Sequence, residues 1–265
     1  DASGIQPFTS AKVRNQGIET TIGYNFRLAK DVNWRTSYNV SYNSNKILKT
    51  AYNDQGKELI QQQVVGGTYI RYKEGGSIGD MYIHDFEREA NGNIALTKSG
   101  APRFKSSGQD ADLIYVGNMN SKWQMGWSNN FNYKDFTLSF LINGRIGGKV
   151  ISLTEAYLDQ NGLSQRVADA RLNAERNNIV ATDYKNAPGM QLNDGSGRIV
   201  PVEAYYKAMG ASTNPYNYIY SATNFRLREL SLGYTFRNLL GQNKNLNVAF
   251  IARNLFFLYN DSPVD

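Results

Sequence analysis

A few side chains in this chain are of the types that catalysis or metal binding uses. His84 is its sole histidine, so a Ser-His-Asp triad or a histidine zinc site would have to be built on that residue. No partner residues stand at the spacing that either site needs, and we expect His84 to be an ordinary strand or loop residue. The run GGSIG at 75–79 resembles a phosphate-binding loop but lacks the GK[ST] ending and a following helix.

Carboxylates are the second group with possible chemistry. Asp110 and Asp112 could bind a cation, but no third carboxylate completes an EF-hand-type loop. Glu155 and Asp159 stand one helical turn apart, as solvated helix carboxylates commonly do. The chain has no cysteine, which excludes disulfides and thiol chemistry. We therefore predict that the chain is not an enzyme and that it holds no cofactor and no metal.

Alternation of apolar and polar residues predicts the elements that position these side chains. Residues 18–28 and 32–42 alternate throughout, which is the period of extended strands. Only three residues separate the two runs, so they predict an antiparallel hairpin. Two further hairpins are predicted near 123–143 and 222–257. The first strands approach the roughly 9–11 residues with which a tilted strand crosses a bilayer.

The connections between these strands are very unequal. Turns within hairpins are short, whereas 43–122 and 144–221 far exceed the usual median of about 4–6 residues. Short turns on one side and long loops on the other are typical of outer-membrane barrels, whose long loops are extracellular. One helix is predicted at 153–176, with Leu163, Val167, Ala170 and Ala174 on one face. It could dock a partner, cover a pore or simply pack on its neighbours.

The predicted fold is therefore all-β, as part of a large antiparallel transmembrane β-barrel with long extracellular loops, one of which carries a helix. We expect the apolar face to meet lipid through Ile18, Ile22, Phe26, Val32, Trp34, Tyr38, Val40, Leu138, Phe140, Leu232 and Tyr234. On the polar face, the candidates to line the lumen and meet a plug or a substrate are Asn25, Arg27, Arg35, Asn39, Asn130 and Asn132. The loop tyrosines Tyr216, Tyr218 and Tyr220 are candidate ligand or partner contacts, or residues that pack the loop.

A soluble β-sandwich with one buried face explains the same alternation. The alternative function is therefore a soluble or surface-attached glycan-binding β protein without transport activity. A barrel enzyme is a third possibility, but it needs a catalytic set that the sequence does not supply. Nucleic-acid binding is not expected despite the net charge of +6, because the basic residues are scattered and form no run.

Four segments resemble one family. Residues 224–236, NFRLRELSLGYTF, resemble the strand FLRLRNLTLGYTFP of the SusC/RagA family, the TonB-dependent outer-membrane transporters of Bacteroidota. KVRNQGIE at 12–19, VGNMNSKW at 116–123, and ARNLFFLY at 252–259 followed by SPVD also resemble segments of that family. The four segments occur in the family's order and span nearly the whole chain.

The resemblance implies a transporter of about 22 strands whose lumen is closed by an N-terminal plug. It also implies a SusD-like surface lipoprotein over the extracellular face, TonB acting through the plug, and an oligosaccharide or peptide as substrate. Residues 1–265 are then a C-terminal barrel portion, with the plug outside this chain. Six membrane strands cannot stand alone, because open edges leave backbone groups unpaired in hydrocarbon. We therefore expect this wall to close with further strands, such as the rest of its own barrel.

Overall fold

The computed structural model describes residues 11–50, 60–65, 67–105, 113–211, 215–239 and 241–263. The chain divides into two compact units. The first, which we call the sheet unit, consists of Val13–Lys46, Met119–Lys149 and Ser221–Asp265. The second, which we call the loop unit, is built mainly from Ile47–Asn118 and Val150–Tyr220. In the described part of the chain, no helix has the length and apolar character needed to cross a membrane.

Strands dominate both units. In chain order they are β1 Lys12–Ala29, β2 Val32–Lys49, β3 Ile60–Val65, β4 Thr68–Arg71, β5 Asp80–His84, β6 Leu113–Asn118, β7 Trp123–Tyr133, β8 Phe136–Ile146, β9 Lys149–Ile151, β10 Val180–Ala181, β11 Ala187–Gln191, β12 Ile199–Pro201, β13 Ile219–Ser221, β14 Asn224–Phe236 and β15 Leu246–Asn260. The helices are α1 Leu153–Gln160, α2 Gln165–Arg176 and α3 Val202–Met209, with single 3₁₀ turns at Thr182–Tyr184 and Tyr216–Tyr218.

The sheet unit is built on one six-stranded sheet with the order β1-β2-β7-β8-β14-β15. The pairs β2–β7, β7–β8, β8–β14 and β14–β15 are all antiparallel, which confirms the predicted fold class. Two of its strands are longer than the alternation predicts, since β1 and β2 each run for 18 residues. Among the described residues, β1 and β15 are the outer strands of this sheet.

Register places apolar and polar residues in alternate rows across this sheet. Residues directly opposite one another on paired strands share a face. One row consists of Trp34, Phe131, Leu138, Leu232 and Phe250. The neighbouring row, on the other face, consists of Asn33, Asn132, Thr137, Gly233 and Ala249. The sheet therefore has an apolar face and a polar face along its whole width.

A bulge interrupts this alternation in β14. Leu227 pairs with Ile142 and Glu229 with Leu141, so Arg228 is an extra residue relative to β8. On its other edge β14 pairs with β15, where Leu227 is opposite Phe256 and Glu229 is opposite Arg253. At this level β15 has two intervening residues, whereas β14 has one. In residues 224–227, which precede the bulge, the odd-numbered side chains lie on the apolar face. In residues 229–236, which follow it, the even-numbered side chains do.

The loop unit contains a four-stranded sheet, β3-β4-β5-β6, and a three-stranded sheet, β10-β11-β12. Its core is formed by Phe86, Ile94, Ala156, Leu192, Val200, Met209 and Tyr218. The prediction of one helix at 153–176 was wrong, because the segment breaks into α1 and α2 and a third helix, α3, follows. Gly162, with a φ of 69°, lies in the break, and the Ser164 side chain then caps α2 by accepting from the Val167 N–H (3.2 Å).

The break also changes the predicted helix face. Leu163 lies outside both helices and is 69% exposed. Val167 and Ala174 are buried, and Ala170 is half-buried. These three contribute to packing within the loop unit, and Leu163 does not.

Candidate functional site

The six lumen candidates lie on the polar face of the sheet. Arg35 is directly opposite Asn130 on the neighbouring strand. The Asn132 amide donates to the Asn130 carbonyl oxygen (2.5 Å), and the Asn130 amide donates to the Ser139 hydroxyl (2.7 Å). Asn25 and Arg27 share this face, because Gly23, two residues before Asn25, packs against Ser37. Carboxamides both donate and accept, and these hydrogen bonds join the polar side chains of β7 to one another and to β8.

Asn39 lies further along the same face, near the ends of the strands that join the long connections. It is opposite Gly126 on β7, and Gly126 is opposite Asn143 on β8. A side chain on Gly126 would collide with the Asn39 carboxamide and would come close to that of Asn143. The glycine therefore allows two carboxamides to approach each other across the strand between them.

A cleft of about 450 Å³ adjoins these carboxamides. We call it the arginine cleft, and its polar-face residues are Gln124, Asn143, Arg145, Asn224, Arg226, Arg228 and Phe257. Strand register builds it. Arg145 stands between Gln124 and Asn224, and Arg226 stands between Asn143 and Phe257. None of the residues that line it is Asp or Glu.

Two of the three cleft arginines have defined partners. The Arg226 guanidinium lies over the Phe257 ring, 4.5 Å from its centroid, which is close enough for a cation–π interaction. Its Nε is buried and makes no hydrogen bond to any described residue. Arg228 donates to the side-chain oxygen of Asn254, the residue that faces it across the bulge.

The apolar face carries the lipid candidates. Ile18, Ile22, Leu232 and Phe250 are 55–72% exposed, although such side chains are usually buried in soluble proteins. Near the short turns, aromatic rings adjoin one another in the pairs Tyr24–Phe26, Phe26–Trp34, Trp34–Phe131, Phe136–Tyr234 and Tyr234–Phe236, with centroids 4.5–5.3 Å apart. This is the arrangement of an interfacial aromatic girdle.

Asn129 is the polar exception on the apolar face, where its carbonyl oxygen has a partner but its buried amide nitrogen has none among the described residues. Its side chain is 1% exposed, and its carbonyl oxygen accepts a hydrogen bond from the Trp34 indole (3.0 Å). The Trp127 indole similarly donates to the Thr36 hydroxyl (2.9 Å). Both indole N–H groups are thus satisfied within the face, which matters wherever no water is available to do so.

The three loop tyrosines lie in different environments. Tyr218 is completely buried and its hydroxyl donates to Asp159 (2.8 Å), so it packs the loop unit. Burial raises the pKa of Tyr218, and the hydrogen bond to Asp159 raises it further. Tyr220 is half-buried against the core. Tyr216 is 45% exposed and its ring packs edge-on against Phe86.

Asp159 is not the solvated helix carboxylate that the sequence suggested. It is only 2% exposed, because the core tyrosine Tyr218 covers it and Arg166 lies beside it. The Arg166 Nε is 2.7 Å from the Asp159 carboxylate, and the guanidinium also lies over the Tyr218 ring at 5.0 Å. A buried carboxylate needs such a partner, because removing an unpaired charge from water costs several kcal/mol of free energy.

No protein-family model matches the chain. It is 26% identical to TonB-dependent receptor P39 of Formosa agariphila over 94% of its own length and 27% of that protein. It is 22% identical to TonB-dependent receptor SusC of Bacteroides thetaiotaomicron, over 86% and 21% respectively. The chain thus spans about a quarter of the length of these relatives. The chain is therefore similar in sequence to proteins named TonB-dependent receptors.

Solved structures show the same fold. A structure of the RagAB peptide transporter superposes on 94% of the chain with a TM-score of 0.62 and 17% identity. A structure of the RagAB peptide importer in its closed-closed state superposes on 95% with a TM-score of 0.56 and 18% identity. In both cases the match covers 26% of the RagAB chain.

The remaining residues considered for chemistry that the structure describes have structural surroundings. His84 is buried in β5, and its Nε2 is 3.1 Å from the Tyr69 hydroxyl. The run 75–79 is a turn, in which the Ser77 N–H donates to the Asp80 carboxylate (2.7 Å). Asp110 and Asp112 lie outside the described residues. Within the described ranges, no three His, Asp or Glu side chains are grouped so that they could hold a metal ion.

The arginine cleft was missed by the sequence reasoning. Its polar-face residues come from β7, β8, β14 and β15, and strand register brings them together. A partial signal was present, since Arg226 and Arg228 lie inside the segment that resembles the family most clearly. The bulge that brings both into one cleft has no sequence signature of that strength.

Proposed function

We propose that this chain is part of the barrel wall of an outer-membrane TonB-dependent nutrient importer. The observation that carries the proposal is the six-stranded antiparallel sheet with one exposed apolar face, one hydrogen-bonded polar face and an aromatic band near its short turns. The apolar face meets lipid and the polar face lines the lumen. The long connections 43–122 and 144–221 are extracellular, and the short turns are periplasmic.

The energetic argument concerns where the apolar face can be stable. Burying one Leu, Ile or Phe side chain stabilises a folded protein by about 1.5–3 kcal/mol. Exposed contiguous apolar patches above a few hundred Å² are accordingly rare on soluble monomers. The apolar row that includes Leu232 and Phe250 continues through Leu138 and Phe131 to Trp34 on β2. Lipid covers such a face without any second sheet, which favours the barrel wall over a soluble glycan-binding protein.

Polar groups on the opposite face suit a polymer that carries many hydrogen-bonding groups and passes through water. Asn130, Asn132 and their neighbours present both donors and acceptors, which match the hydroxyls of an oligosaccharide or the amides of a peptide. By analogy with its relatives, the whole protein works with a SusD-like surface lipoprotein and receives energy from TonB through a plug. Neither partner interface is needed for the wall itself to form.

The first experiment asks whether the full-length parent protein behaves as a membrane barrel. Its native form should require detergent for extraction, and it should migrate faster on gels when unheated than when boiled. A protein that remains in the aqueous fraction without detergent and shows one mobility would refute the proposal and support the glycan-binding alternative. Affinity purification of the detergent extract then tests the lipoprotein partner separately, since a barrel that purifies alone overturns only that part.

A further inference from the structure

The arginine cleft has a charge that its own lining does not balance. Arg145, Arg226 and Arg228 bring three positive charges to one end of the polar face, where no lining residue is acidic. The single carboxylate of β14, Glu229, is already engaged by Arg253, with Nε 3.0 Å from Oε2. The cleft therefore presents a positive field toward the side that we assign to the lumen.

The cleft is also arranged in advance of any ligand. The Phe257 ring supports the Arg226 guanidinium from one side, and Asn254 holds Arg228. Strand register fixes Arg145 beside Gln124 and Asn224. Side chains that are already held lose less conformational entropy on binding, so this arrangement favours a ligand that approaches the free edges of the guanidinium groups.

Planar guanidinium groups match carboxylate and sulfate oxygens in pairs, and they bind them more strongly than neutral groups do. The neighbouring carboxamides add donors and acceptors for the rest of such a ligand. We propose that the arginine cleft binds a carboxylate or sulfate group of the imported solute and gives the transporter a preference for anionic oligomers. This inference rests on the proposed function, because it requires the polar face to line the solute path.

The test measures binding by calorimetry to the full-length protein purified in detergent. The probes are hexagalacturonate, a sulfated galactan hexasaccharide, pentaglutamate and the neutral maltohexaose, so that sugar-borne carboxylates, sulfates and peptide carboxylates are distinguished. At least one anionic probe should bind more tightly than maltohexaose, and its affinity should fall as salt is raised.

Variants then locate the site. The double variant Arg145→Gln, Arg226→Gln should lower the affinity for the preferred anionic probe by about tenfold to a hundredfold. Arg226→Lys should weaken it less, because the charge remains and the paired geometry is lost. The matched control is Arg237→Gln, which removes an arginine that pairs with Asp135 beside a short turn. This control should leave the affinity unchanged.

A second route keeps all three arginines. Asn224→Glu places a carboxylate opposite Arg145, where it should occupy the cleft and weaken the anionic probe to a similar extent. If the double arginine variant no longer shows heat-modifiable migration, it has not folded. The Asn224→Glu variant alone then tests whether the anionic probe binds in the arginine cleft.

The inference is overturned if a folded, heat-modifiable wild-type protein binds no anionic probe better than maltohexaose. It is also overturned if Arg237→Gln weakens binding as much as the cleft variants do. Either result leaves the barrel proposal intact. A wild-type protein that needs no detergent would instead refute the barrel proposal, and the two failures are therefore distinguishable.

Discussion

Replacing Leu232 by arginine tests the assignment of the two sheet faces. Leu232 lies between Leu138 and Phe250 on the apolar face and is 55% exposed. It precedes Phe236, the last residue of β14, by four positions. A strand rises about 3.3 Å per residue and is tilted by about 40° from the membrane normal. Measured along that normal, the Leu232 side chain therefore lies about 10 Å from the strand end. That is close to the midplane of an apolar band about 25 Å tall.

The expected cost follows from that depth. An arginine facing lipid near the midplane destabilises a barrel by about 2–4 kcal/mol, which lowers the ratio of folded to unfolded protein roughly 30- to 900-fold. The control is Ser231→Arg, one residue earlier on the polar face, which should change stability by less than about 0.5 kcal/mol. Leu232→Ala removes the apolar contact without adding a charge and should fall between the two.

The assay compares full-length proteins folded into lipid vesicles at increasing urea. The folded fraction is read from unheated gels, where the barrel migrates faster. Equal losses for Leu232→Arg and Ser231→Arg would refute the face assignment, and a larger loss for Ser231→Arg would reverse it. A neutral Leu232→Arg would place this face in water.

Three further predictions concern local stability and are measured by hydrogen exchange in the full-length protein. Asp159→Ala removes a buried carboxylate that pairs with Arg166 and accepts a hydrogen bond from the buried Tyr218 hydroxyl, so the amides of α1 and α2 should lose about 1–3 kcal/mol of protection. Asp169→Ala on the exposed side of α2 should change little, and equal effects would contradict the stabilising role of the buried carboxylate. Asp194 should make its loop pH-sensitive. Burial alone would raise its pKa, but hydrogen bonds from Ser196, Arg198 and the Ile94 N–H hold it well below its usual range. Its contribution to stability is therefore present above about pH 4 and is lost as the pH falls further, and Asp194→Asn should abolish that change in exchange. Gly210→Ala should destabilise the contact of α3 with α1 by about 1–3 kcal/mol, because the new Cβ would lie 2.6 Å from the Gln160 N. The control is Gly233→Ala, which should be tolerated because its Cβ would meet only ordinary contacts.

The sheet was largely predictable because its physics is local. Each strand carries its own period of two, and tight turns such as Lys134–Asp135 force neighbours to pair. Lys134 adopts a φ of 53°, as two-residue hairpin turns require. The bulge at Arg228, which resets the alternation in β14, was not predicted, because no local pattern of residues indicates a bulge.

The loop unit was much less predictable. Its core joins residues far apart in sequence, such as Phe86, Leu192 and Tyr218. The burial of Asp159 depends on Arg166 and Tyr218 arriving from other segments, so helical spacing alone suggested the wrong environment. The arginine cleft was not predicted for the same reason, since its polar-face residues come from four strands, with one to three from each.

The bulge at Arg228 has a consequence for how this wall tolerates insertions and deletions. Because Arg228 is the extra residue, removing it alone would make Leu227 and Glu229 neighbours opposite Ile142 and Leu141 in regular alternation, and residues 224–227 would keep their faces. Adding a second residue beside Arg228 would instead turn residues 224–227 over, so that Asn224 and Arg226 would lie on the apolar face and Phe225 and Leu227 on the polar face. The bulge therefore absorbs the loss of one residue at this level but not the gain of one.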